Sequence, residues 1–144
     1  MSIETIMATW LGDSTITALV STRRALSQLP TNTAFPALVY QVVDMTPQPV
    51  VAYQVGAQRA RARVQINPLA ATVTEVQAIH AAIRALLDFK HSVVVAGKTI
   101  VSARLELLGP TDKDNEAGVW TQPADYTITW VECLSEFPPV RDAP

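Results

Sequence analysis

The chain has 144 residues, 49% of them hydrophobic and 17% charged, with a formal net charge of −2. That length suits one domain whose core removes roughly 70% of the unfolded surface from water, so no disulfide or metal staple is required. The near-neutral sum argues against a general nucleic-acid binder, and the lone Cys133 rules out an intrachain disulfide or a cysteine metal cluster.

Taken in chain order, Ile3, Ile6, Met7, Trp10 and Leu11 recur at helical spacing. Ser2 serves as cap, Glu4 suits the first turn and Gly12 can end the helix. Asp13 or Ser14 caps a second short helix carrying Ile16, Leu19 and Val20. After a turn at 31–34, Phe35-Pro36 leads into a strand over 37–43. Residues 44–56 contain Pro47, Pro49 and Gly56, with Val50, Val51, Tyr53 and Val55 between them. This connection is long for a hairpin and too apolar for a solvated loop, so it reads as a protruding β-arm or as extensions of the flanking strands.

Arg59-Ala60-Arg61-Ala62-Arg63-Val64-Gln65-Ile66 then alternates with a period of two. Successive strand side chains point to opposite faces, so Ala60, Ala62, Val64 and Ile66 share one face and Arg59, Arg61, Arg63 and Gln65 the other. The strand runs from about Ala57 to Asn67 and Pro68 stops it. Thr72-Val73-Thr74-Glu75 matches a capping box, opening a long helix to about Phe89 with an apolar stripe of Val76, Ile79, Ile83, Leu86 and Leu87. Residues 92–103 read as a hairpin turning at Gly97, whose second arm extends through 104–107 until Gly109-Pro110 breaks it. Residues 111–118 form a polar, mostly acidic loop, and the last strand covers 126–132. The fold class is α+β: a mostly antiparallel sheet with a long amphipathic helix on one face and short N-terminal helices. Residues 1–133 form the domain, and the Pro-rich 134–144 is an extended tail carrying Phe137.

Charge is unevenly placed. Residues 1–100 hold eight Lys/Arg against five Asp/Glu, and residues 101–144 hold three against eight. A subunit with a basic part and an acidic part suits head-to-tail packing. The lone cysteine fits a reducing compartment, and neither a signal peptide nor a run of ~20 apolar residues is present.

Catalytic and metal-binding constellations are missing. A nucleophilic site needs Ser or Cys with a base and an orienting group. Cys133 reads as an apolar filler, while His80 on the long helix and His91 beyond it read as surface or helix-end residues. There is no Gly-Xaa-Ser-Xaa-Gly elbow, and five glycines form no phosphate-cradling loop. Asp112–Gly118 fails as a calcium loop, since Ala117 and Pro123 stand where glycine and glutamate are required. No catalytic residue, metal site or cofactor is expected.

The order of elements resembles the tail-completion and tail-terminator proteins of bacteriophages. Four pieces carry this: Leu29-Pro30 with Pro36-Ala37-Leu38-Val39-Tyr40-Gln41; Arg63-Val64-Gln65-Ile66-Asn67; Glu75-Val76, Ile79 and Ala82 to Asp88; and Asp125-Tyr126-Thr127-Ile128-Thr129-Trp130. The arginine repeat is denser than the group's pattern, and the interruption at Pro123 departs from it. The resemblance implies a structural virion protein made in the host cytoplasm. It also implies a ring, usually hexameric, at the head–tail junction, ending the tail tube and joining it to the head. Implied partners are further copies of the chain, the tail tube protein, a head-completion or neck protein, and DNA passing the lumen without sequence specificity, with no membrane. Two rivals stand beside it: another neck or head-closure adaptor, and a monomeric module holding an anion or nucleic acid on the Arg59/Arg61/Arg63 face. Candidate interface residues are Arg59, Arg61, Arg63, Val50, Val51, Tyr53 and Phe137. The arginine row itself has three readings: a solvent-facing surface paired with carboxylates of its own sheet, an interface with a neighbouring protomer, or a lumen lining facing DNA.

Overall fold

The computed structural model describes residues 2–30, 33–48, 57–116 and 118–133. Helices α1 (Ser2–Leu11) and α2 (Ser14–Val20) come first. Strands β1 (Arg24–Leu26), β2 (Ala37–Gln48) and β3 (Ala57–Ala70) follow, then helix α3 (Val73–Leu87). Strands β4 (Lys90–Val95), β5 (Lys98–Leu108), β6 (Asp112–Asp114), β7 (Val119–Thr121) and β8 (Ala124–Cys133) complete the order. All eight strands join one sheet in the order β1-β2-β3-β8-β5-β4, with β7 added to the end of β3 and β6 to β7. Pairing is antiparallel except between β1 and β2, which gives the expected α+β class.

Local chemistry accounts for the boundaries. The Asp13 carboxylate caps α2, accepting from the Thr15 amide at 3.1 Å and the Thr15 hydroxyl at 2.7 Å. Those two bonds, the hydroxyl first, hold its carboxyl below the usual range. Thr72 caps α3: its Oγ1 accepts the Glu75 amide at 3.2 Å while its own hydroxyl donates to the Glu75 carboxylate. The capping box therefore closes side chain to side chain. The β4–β5 hairpin turns on Ala96 and Gly97, at φ 53° and 77°, the paired left-handed conformation of a two-residue turn that follows the twist of the strands.

Helices cover one face of the sheet. Ile3, Ile6, Met7 and Leu11 of α1, Ile16 and Val20 of α2, and Ile79, Ile83 and Leu87 of α3 join one core with the inward residues of β3, β5 and β8. Three rows cross those strands: Ala60, Trp130 and Ile100; Ala62, Ile128 and Ala103; Val64, Tyr126 and Leu105. Small residues on β3 stand beside Trp130 and Ile128, so the large side chains fit beneath the helices without overpacking.

Three sequence expectations change, and residues 44–48 follow the strand-extension reading. Strand β3 passes Pro68 and runs to Ala70, because on that side its partner changes from β8 at Ile66 to β7 at Leu69. Pro68 stands in the gap between the two partners, where a missing N–H breaks no ladder. Residues 44–48 of the expected arm are ladder strand, with Asp44 opposite Arg63 and Gln48 opposite Arg59. Residues 49–56 lie outside the described residues, as does the tail 134–144. Finally, the acidic loop holds strand β6, and β1 was not anticipated.

Candidate assembly interface

The arginine row lies on the sheet face opposite the helices. Strand β3 alternates as its sequence demands: Ala60, Ala62, Val64 and Ile66 are buried, while Arg59, Arg61 and Arg63 are exposed. At ~3.4 Å of rise per residue, Arg59 and Arg63 stand about 14 Å apart along the strand. Asp44 and Thr46 of β2 flank the row on one side, and Thr127 and Thr129 of β8 on the other. Both threonines are buried although they share the polar face. They lie between the arginines of β3 and Ser102 and Arg104 of β5, and the long arginine side chains can cover them while keeping their charged ends in water.

The arginines do not meet the same fate. Arg63 donates to Oδ2 of Asp125 from Nε at 3.1 Å and from Nη2 at 2.7 Å. Its side chain is 45% exposed against 10% for Asp125, so the pair is half-buried. Arg104 on β5 is likewise answered by Glu106, through Nε and Nη2, each at 2.9 Å. The Thr127 hydroxyl, then the Arg104 and Arg61 guanidiniums, hold the Glu106 carboxyl below the usual range against some desolvation. Arg61 thus acts on Glu106 through space. It also lines a polar hollow of ≈ 290 Å³ with Asp44, Thr46, Arg63 and Thr127. Among the described residues, neither Arg59 nor Arg61 has an ion-pair partner. Such an exposed, half-answered row can hold carboxylates in the planar fork of each guanidinium.

The other candidates cannot be placed beside it. Val50, Val51, Tyr53 and Phe137 all lie outside the described residues. His91 is exposed on β4, opposite Ser102. His80 departs from its expected surface position: it is 8% exposed, with Nε2 2.5 Å from the Gln122 carbonyl. Burial pushes its pKa below the ordinary value, only partly offset by that carbonyl. The imidazole pins the β7–β8 connection to α3, and the Gln122 amide continues the staple to the Gly109 carbonyl at 3.0 Å. The signal was present in the sequence, since His80 lies four residues after Val76 and three before Ile83, on the same helical stripe. Among the described residues, no group of His, Cys, Asp and Glu could hold a metal, and no helix is long and apolar enough to cross a membrane.

Comparison with known proteins gives this geometry a setting. The family described as tail completion protein gp17 matches residues 4–118, from α1 to the β6–β7 turn. The chain belongs to this family. It is therefore a structural component of a phage virion, in the tail. No curated protein matches it. Among solved structures, a chain from the virion of a native gene transfer agent particle shares its fold, with a TM-score of 0.62 at 13% identity. The match covers 90% of this chain and 93% of that one, so the shared fold extends through nearly all of the sequence.

Proposed function

We propose that this tail-completion protein closes into a ring of its own copies, six in number, at the head-proximal end of the tail. There it ends the tail tube and joins it to the head. The observation that carries the reading is the division of one sheet into two faces. Helices cover one, and the other presents Arg59 and Arg61 without a carboxylate partner among the described residues. A ring of this kind makes heterologous contacts between neighbours and offers different surfaces to the tube and to the head.

In this reading residues 1–133 act as one domain. The arginine row, the segment 49–56 with Val50, Val51 and Tyr53, and the tail with Phe137 make contacts between subunits or with the tube. The tail tube protein and a head-completion or neck protein are the axial partners. DNA passes the lumen without being gripped. Asp44, Asp125 and Glu106 share the arginine face, so a polyanion laid along the row meets carboxylates at close range. That mixture disfavours a monomeric nucleic-acid module. The work is geometric and assigns no reaction to any residue.

Size-exclusion chromatography with light scattering, run with and without purified tail tube, tests the proposal. The expected result is a species near six times 15.6 kDa, or rings on tube ends. A strict monomer that ignores tube and binds duplex DNA with a steep salt dependence contradicts it.

A further inference from the structure

We infer that the carboxylates of the β6–β7 hairpin, chiefly Asp112 and Glu116, are the partners of Arg59 and Arg61, supplied by the adjoining copy of the chain. The inference rests on the ring reading and names the surface that meets the arginine row. The hairpin is built to present negative charge. All three residues of β6 are exposed, and Asp112, Asp114 and Glu116 fall within five positions. The hairpin's own cation is drawn aside: the Lys113 ammonium lies over the Trp120 ring, 5.7 Å from its centroid. Asp114 fixes the turn, its carboxylate accepting the Glu116 amide at 3.0 Å and its carbonyl the Gly118 amide at 2.8 Å. Asp112, whose Oδ1 accepts the Lys113 amide at 2.9 Å, and Glu116 are both exposed beside these hydrogen bonds.

The two charged features cannot meet within one molecule. Strand β7 pairs with Leu69 and Ala70, at the far end of β3 from Arg59. The ten steps from Arg59 to Leu69 span about 34 Å of extended strand. The longest strand of the sheet thus separates a row with two guanidiniums that form no ion pair among the described residues from a hairpin with two exposed carboxylates. A second copy, shifted along β3, brings the two together. The contact is heterologous, one protomer's arginines on the next protomer's hairpin, which is the kind of contact a closed ring repeats. Arg63 takes no part, since Asp125 of its own chain occupies it. Arg59 and Arg61, about 7 Å apart on one face, offer two forks for two carboxylates.

A charge swap in the full chain, assayed with tail tube present, tests this. Arg59→Glu with Arg61→Glu should weaken assembly at least tenfold, and so should Asp112→Lys with Glu116→Lys. Mixing the two variants should restore hetero-assembly, because the reversed row of one meets the reversed hairpin of the other, and the two unaltered halves meet as before. Circular dichroism melts confirm that both variants fold, since every altered side chain is exposed. Normal assembly by either variant overturns the pairing while leaving the ring reading standing, and so does failure of the mixture to assemble. Failure of the unaltered chain to assemble on tube removes the ring reading, and the pairing with it. Loss of duplex DNA retention on arginine reversal, with no rescue by the mixture, assigns the row to nucleic acid and overturns the pairing.

Discussion

The two faces of the sheet share strand β3 and yet obey different rules. On the helix side Ala60, Ala62, Val64 and Ile66 are fully buried among large neighbours. On the other side Arg59 and Arg61 carry charge that their own chain leaves without an ion-pair partner among the described residues. One-residue alternation couples a core requirement to a surface requirement, because a register slip would exchange the faces. The arginines are thus held in a fixed line by packing in which they take no part. Stability should reside on the first face and assembly on the second.

The largest effect expected is on the covered face. Trp130 is fully buried, with Ala60 and Ile100 as its cross-strand neighbours, so Trp130→Ala should destabilise the fold by about 3–5 kcal/mol. Urea titration followed by far-ultraviolet circular dichroism measures this. A loss below about 1 kcal/mol would mean that the core is not where stability is held.

A smaller effect, dependent on pH, belongs to His80, at the junction of α3 with the β7–β8 connection. Burial lowers its folded pKa below the ordinary value of 6.5, so the unfolded chain binds the proton first as pH falls. The stabilisation is complete above about pH 6.5 and declines below it, until the native imidazole itself protonates. Melting temperatures measured from about pH 7.5 down to about pH 5.5 should fall in the unaltered chain and fall less in His80→Gln. Equal slopes would contradict the buried, neutral imidazole. The Asp88 carboxyl does not confuse this window. Burial raises its pKa, but the Leu105 amide and Arg84 outweigh that and hold it below the usual range, so its stabilisation is lost only in more acidic solution.

Much of the helix-covered face was legible in the sequence, because it follows from periods. The alternation of β3, the stripe of α3, the Thr72–Glu75 cap and the Gly97 turn are all short-range signals, and each holds in the structure. The resemblance to tail-completion proteins rested on the order of these pieces, and it holds too. What escaped was short or distant. Strands β1, β6 and β7 have three residues each, too few to show a period. The partner of Arg63 lies 62 residues away, and only the β3–β8 register brings Asp125 beside it. His80 is buried on the helical stripe despite its polarity, with Nε2 at the Gln122 carbonyl and a buried Nδ1 that has no partner among the described residues.

The most direct test of the division between the faces is Arg59→Gln with Arg61→Gln, leaving Arg63 in place so that Asp125 keeps its cation. Neither arginine has an ion-pair partner among the described residues, so stability should change by no more than about 0.5 kcal/mol. Light scattering with tail tube present should show the ring lost or strongly weakened while the melting temperature holds. A variant that assembles and caps tubes as the unaltered chain does would contradict the account and make the row ordinary solvent-facing surface.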